Sequence, residues 1–212
     1  MSTVTHHIPD EILAAYAAGT LPHAFAVVVA AHVSLCDQCR VALAAHEAVG
    51  GVVLDDSETV AVSSTLKDDI FALLDAPAPA PEPTFVRTGI YPGPVMQALK
   101  GRPIKWRNLG MGVRQDILTE DTHGSVRLLY IPPGQAVPDH SHNGLEMTLV
   151  LQGSFSDETG HFGVGDVEIA DESLEHTPTA GLDAACICLA ATDARLRFRS
   201  LIPRLLQPVF RI

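Results

Sequence analysis

The chain has no apolar run long enough to cross a bilayer. Roughly 18 residues are needed for that, and the nearest approach, Ala24-Phe-Ala-Val-Val-Val-Ala-Ala31, stops at a histidine. Nor does it open with a basic stretch followed by an apolar one, so no secretory leader is visible. Cysteine is scarce. The 212 residues hold four, as Cys36-x-x-Cys39 and Cys186-x-Cys188. With no export signal, this argues against a disulfide framework and directs the thiols to metal binding or redox sensing in a reducing compartment. A cytoplasmic location is expected. Basic side chains are nearly missing from the front third. Residues 1–76 carry Arg40 and Lys67 against ten acidic side chains, a net −8, whereas the other 136 carry twelve basic against fifteen acidic, a net −3. Such a front segment repels nucleic acid and suits a basic protein partner, unless the charge serves solubility alone.

Apolar content of 47% with 18% charged residues describes a packed globular chain. Four helices are expected in front. The first spans 8–19, with Ile12, Leu13 and Tyr16 as its apolar face and Gly19 as its stop. Pro22 opens a second to about Leu35. A third runs from near Asp37 to Val49 and ends at Gly50-Gly51. The fourth is capped by Ser63 or Ser64 and reaches Leu74. The run Ala76-Pro-Ala-Pro-Ala-Pro-Glu-Pro83 favours polyproline II and reads as a semi-rigid spacer. Beyond it the pattern turns to short strands, among them 126–131, 145–152, 166–170 and 184–190, separated by Gly/Pro/Asp turns. The fold class expected is α + β in two domains: a helical unit over 1–76, a linker over 77–84 and a jelly-roll barrel over 85–212. The apolar tail 201–212 is expected to lie on the barrel or to pair with another copy.

Two constellations carry chemistry. In His32-Val-Ser-Leu-Cys36-Asp-Gln-Cys39, a helical spacing of four puts His32 and Cys36 on one face, with Cys39 within a further turn. One imidazole and two thiolates suit tetrahedral Zn²⁺, which needs a fourth N or S ligand. His6 or His7, ahead of the first helix, qualifies, and spacing alone does not separate them. In the second half stands Gly134-x5-His140-x-His142-x3-Glu146-x6-Gly153. His140 and His142 are two apart on a strand and point the same way, and Glu146 follows after a turn at Asn143-Gly144. Two imidazoles and a carboxylate suit Zn²⁺, Fe²⁺, Mn²⁺ or Ni²⁺. Cys186 and Cys188 share one face of a late strand, where small core residues are the expected reading and a thiol pair that oxidises near the metal the alternative. Arg127 is expected to face outward, Glu158 and Glu175 to be solvated, and Trp106 to anchor a core or interface.

The second string resembles the first cupin motif at full spacing. The second cupin motif adds a histidine, and His176 in Leu174-Glu-His-Thr-Pro178 fits, although the Pro-x-Gly that ordinarily precedes it is missing. The His-x3-Cys-x2-Cys string, with a histidine upstream and four short helices, resembles the zinc-binding anti-sigma factors that sequester group IV (extracytoplasmic-function) sigma factors. A branch of these joins such a domain to a cupin, and the resemblance runs along essentially the whole chain. It implies His7, His32, Cys36 and Cys39 as ligands of a structural Zn²⁺, and His140, His142, Glu146 and His176 as ligands of Zn²⁺ or another divalent metal in the barrel. It further implies that the chain inhibits a sigma factor without being an enzyme or touching DNA. Release would follow a signal such as singlet oxygen or organic peroxide. The competing reading is a metal-dependent, dioxygenase-like cupin enzyme with an accessory helical domain. Against it stand the absence of a clear general base beyond the ligands and of an obvious charge partner for a substrate.

Overall fold

A computed structural model describes residues 4–74, 77, 83–137, 140–141, 144–194 and 197–198. Helix α1 (Asp10–Ala17) follows an extended Pro9, has Asp10 and Glu11 in its first turn and buries only Leu13. Negative charge in a helix's first turn is favoured by the helix dipole. Helix α2 (His23–Val33) enters from Pro22 and buries Ala24, Phe25, Val27, Val28, Val29, Ala31 and His32. A helix apolar on nearly every side belongs inside a structure, and α2 is wedged between α1 and α3 on one side and the barrel on the other.

Helix α3 (Asp37–Asp55) runs through Gly50-Gly51 instead of stopping there, and ends at Asp56. Both glycines keep helical backbone, and an interior glycine weakens a helix by only about 1 kcal/mol. Helix α4 (Leu66–Leu74) buries nothing. Helix α5 (Gly93–Leu99) was not expected, because Gly93-Pro94 resembles a breaker. Proline in the first turn costs no hydrogen bond, and Val95 and Leu99 are buried near α2.

The strands are β1 (Arg107–Gly110), β2 (Val113–Asp121), β3 (Gly124–Ile131), β4 (His140–Ser141), β5 (Glu146–Gln152), β6 (Phe155–Ser156), β7 (His161–Phe162), β8 (Val167–Ala170), β9 (Glu175–His176), β10 (Thr179–Ala180), β11 (Cys186–Thr192) and β12 (Arg197–Phe198). A six-stranded antiparallel sheet has the order β1-β2-β3-β11-β5-β8, and two smaller sheets run β10-β6-β7 and β12-β4-β9. This is the jelly roll expected. Strand β2 went unread because Gln115 and Asp116 break its apolar pattern. Both are buried. Asp116 accepts 2.7 and 3.0 Å hydrogen bonds from the Arg102 guanidinium and one of 2.9 Å from the Lys105 N–H, which offset its desolvation.

Period-two alternation splits the large sheet into two faces. Val126, Leu128, Met147, Leu149, Leu189 and Ala191 point to the helices and form one core with Phe25, Val28 and Val29 of α2. Ile131, Val150, Cys186 and Cys188 point the other way and form an inner core with Phe155, Phe162 and Ala180. The helical unit and the barrel therefore share apolar packing. Of the linker 77–84, only Pro77, Pro83 and Thr84 are among the described residues, and the tail 201–212 lies outside them. Among the described residues no helix is long and apolar enough to cross a membrane.

Candidate metal centres

The front site forms at the corner between α2 and α3. Cys36 is the N-cap of α3, its Sγ accepting from the Cys39 N–H at 3.5 Å, and the Cys36 N–H donates to the His32 carbonyl at 2.8 Å. These local bonds set the spacing of the three residues before any metal is considered. His7 Nδ1 lies 3.3 Å from Cys36 Sγ and 3.7 Å from Cys39 Sγ. One donor atom from each of His7, His32, Cys36 and Cys39 falls within 4.8 Å of all the others.

The choice that spacing left open is made by packing. His6 lies against the Phe162 ring, with centroids 4.4 Å apart, and its Nδ1 is 3.5 Å from an Asp166 carboxylate oxygen. His7, one residue on, faces the thiols.

His32 supplies the test of fit. Its Nδ1 donates to the Gly165 carbonyl at 2.9 Å, which fixes the tautomer and leaves Nε2 with a lone pair. That Nε2 is buried with no hydrogen-bond partner. An orphaned buried acceptor is costly, and a cation among two thiols and a second imidazole would satisfy it. Burial pulls the His32 pKa down to about 4, so the ring is neutral and able to ligate at neutral pH. Burial pushes the Cys39 thiol up to about 11, so its ionisation requires a compensating cation. Two sulfurs and two nitrogens, three of the four residues buried, are the donor set that suits a structural Zn²⁺.

In the barrel the inward faces of β3, β5 and β8 bring polar groups together. His176 is buried, and its Nδ1 lies 2.7 Å from Asp157 Oδ2 and 3.1 Å from Glu168 Oε1. Burial alone would lower the His176 pKa, but the two carboxylates outweigh it and push it up to about 9, with Glu146 adding in the same direction. Burial pushes the Glu168 carboxyl up to about 7. For Asp157, burial is outweighed by hydrogen bonds from Glu168, Thr159 and His176, and its carboxyl is held well below the usual range. Glu146 opens β5 and accepts from the Thr148 hydroxyl at 3.0 Å. The backbone of His140 is in antiparallel register with that of His176. The His140 side chain and all of His142 lie outside the described residues.

Asp157 and Glu168 escaped the sequence reading. Glu168 had a signal: it alternates with Val167 and Ile169, so the face that puts those two on the helices puts it inside. Asp157 had none, because it sits in a turn and also accepts from the Thr159 and Gly160 N–H groups at 2.8 and 3.1 Å.

Arg127 is the other correction. It faces inward, buried, and donates to Gln115 Oε1 at 3.0 Å and to the Ser125 hydroxyl at 2.6 Å. The β3 register puts Val126 and Leu128 toward the helices, so Arg127 has no outward position to take. A buried cation in the barrel also removes one argument against a substrate site there. Cys186 and Cys188 are both buried with sulfurs 3.3 Å apart. Contact with Cys186, together with burial, raises the Cys188 pKa well above the ordinary thiol value. Trp106 is a partly buried anchor, edge-on to Tyr130 at 6.0 Å.

Residues 96–195 match the family described as the ChrR Cupin-like domain. The chain is similar to the Anti-sigma-E factor ChrR of Cereibacter sphaeroides, at 52% identity over 99% of this chain and all of the relative. It is also similar to ChrR in the crystal structure of Rhodobacter sphaeroides SigE in complex with that anti-sigma factor. There the identity is 50%, the coverage is 90% of this chain and 100% of the other, and the TM-score is 0.80.

Proposed function

The chain belongs to the family of the anti-sigma factor ChrR, and from that premise we propose that it binds and inhibits a group IV sigma factor and releases it on an oxidative signal sensed through the barrel. The observation that carries this reading is α4. It buries no residue, and Ile70, Phe71, Leu73 and Leu74 are exposed, Phe71 at 55% and Leu74 at 71%. The distal half of α3 likewise exposes Val49, Val52, Val53 and Leu54. Apolar surface of this extent marks a partner-binding site. A sigma factor, whose DNA-binding surfaces are basic, complements the −8 charge of residues 1–76.

The front site then holds Zn²⁺ as a structural ion through His7, His32, Cys36 and Cys39. Its contribution is to lock α1 and α3 onto α2 in the geometry that presents the apolar face. The barrel holds a divalent metal through His140, His142, Glu146 and His176, with Asp157 and Glu168 fixing the His176 ring through Nδ1 so that Nε2 is the coordinating nitrogen. The division into a helical unit over 1–76 and a barrel over 85–212 belongs to the same reading, as do a cytoplasmic location and a regulatory, non-enzymatic role. The inducing signal is singlet oxygen or an organic peroxide.

The test is co-expression of the full chain with an extracytoplasmic-function sigma factor. A stable complex that blocks transcription from that factor's promoter is expected. Phe71→Asp with Leu74→Asp should weaken the complex about 100-fold with an unchanged melting temperature, because neither side chain is buried. Full repression by that double variant would defeat the reading.

A further inference from the structure

Asp166 stands in the barrel, on the turn before β8, and its carboxylate is buried. One oxygen accepts from the Thr5 N–H at 2.7 Å and the His6 N–H at 2.9 Å, and the other from the Gly163 N–H at 2.8 Å. Two of these three donors belong to the segment immediately before His7. A carboxylate needed only to shape its own turn would be served by Gly163 alone.

Other contacts fasten the same segment to the same turn. The Val167 N–H donates to the His6 carbonyl at 3.2 Å, and the His6 ring lies on Phe162. Gly165 has φ of +95°, and a Cβ there would come within 2.8 Å of Val4 Cγ2. Its own carbonyl is the acceptor that fixes the His32 tautomer. Both imidazole donors of the front site are thus oriented by one turn of the other unit, the stretch from Gly163 to Asp166.

We propose that Asp166 is a positioning residue of the front metal site, holding the His7 donor in place from the barrel. The proposal rests on the reading of His7, His32, Cys36 and Cys39 as a zinc site. Its consequence is directional. Glu168, in contact with His176, is two residues along the chain from Asp166, so a change at the barrel's polar cluster has a short covalent path to the clasp on His7. Groups that orient a metal's ligands in this way change metal affinity by about 10- to 100-fold when removed.

The test uses the full chain loaded with Co²⁺, whose thiolate charge-transfer absorption reports the front site. The band is expected in the native protein and lost in Cys36→Ser. Its absence from the native protein would defeat the zinc reading and, with it, this proposal, whereas the remaining outcomes bear on Asp166 alone. Asp166→Ala should keep the thiolate band, take on the ligand-field spectrum of His7→Ala, and lose cobalt to a chelator about tenfold faster than the native chain. Asp166→Asn should fall between, since an amide offers one acceptor oxygen to three N–H donors. A lowered melting temperature with native spectrum and native release rate would make Asp166 a turn residue only and overturn the proposal. If Asp166→Ala does not fold, as judged by circular dichroism, Asp166→Asn decides: native spectrum and release in that variant overturn the proposal too.

Discussion

Removing one thiolate from the front site should loosen α1 and α3 while leaving α2 in place. The reason is how little α1 and α3 bury. Among their residues only Leu13, Cys39 and Leu43 are buried. Burying a leucine contributes about 1.5–3 kcal/mol, whereas a structural Zn²⁺ contributes on the order of 10 kcal/mol to small zinc-dependent folds. A Zn²⁺ held there would therefore stabilise these two helices more than their own packing does, and Cys39→Ser would remove it. Helix α2 is held otherwise, by Phe25, Val28 and Val29 against the sheet. Hydrogen exchange read by mass spectrometry separates the elements. In Cys39→Ser, peptides from 10–17 and 37–55 should exchange at least about a hundredfold faster, a loss of about 3 kcal/mol of local protection, while those from 23–33 and 186–192 stay slow. Metal content should fall by one ion per chain. Protection of α1 and α3 equal to the native level, in a variant shown to have lost that ion, would refute the reasoning.

Three further outcomes follow from the same geometry. Phe25→Ala, at a position 1% exposed in the shared core, should cost about 3–5 kcal/mol. Trp106 fluorescence and helical circular dichroism should shift to lower urea together, and an unmoved Trp106 midpoint would show that the barrel does not depend on α2. In metal-free protein the depressed His32 pKa, about 4 against 6.5, means that the unfolded chain binds the extra proton. Its contribution is fully present above pH 6.5 and lost as the pH falls through about 4, roughly 3 kcal/mol in all. Urea titrations of the metal-free native protein and of His32→Gln should diverge by that amount across this window, and parallel curves would count against a buried neutral imidazole. Glu168→Gln should weaken barrel metal binding at least about tenfold. Unchanged affinity in a chelator competition would remove Glu168 from its role beside His176.

Much of this protein was legible in its residues because the relevant constraints are local. His32, Cys36 and Cys39 lie within one helical corner, so their spacing alone brings them together. The strands β3, β5, β8 and β11 announce themselves because a short apolar run bounded by Gly, Pro or Asp turns is a property of neighbours in sequence. The Gly50-Gly51 stop failed for the complementary reason: a glycine ends a helix only if the chain then turns, and here it continues as helix.

The residues taken in order specified the kind of chemistry: a soft sulfur–nitrogen set in front, a nitrogen–oxygen set behind, and two patterns of secondary structure to hold them. Which side chains complete each set was left to the packing of the folded chain. His7 rather than His6 faces the thiols because Phe162 and Asp166, about 160 residues away in sequence, hold its neighbour. Glu168 reaches His176, and Arg127 turns inward, through strand register, while Asp157 reaches His176 from a turn. Such partners are chosen by where distant backbone segments cross, and no short window of sequence contains that crossing.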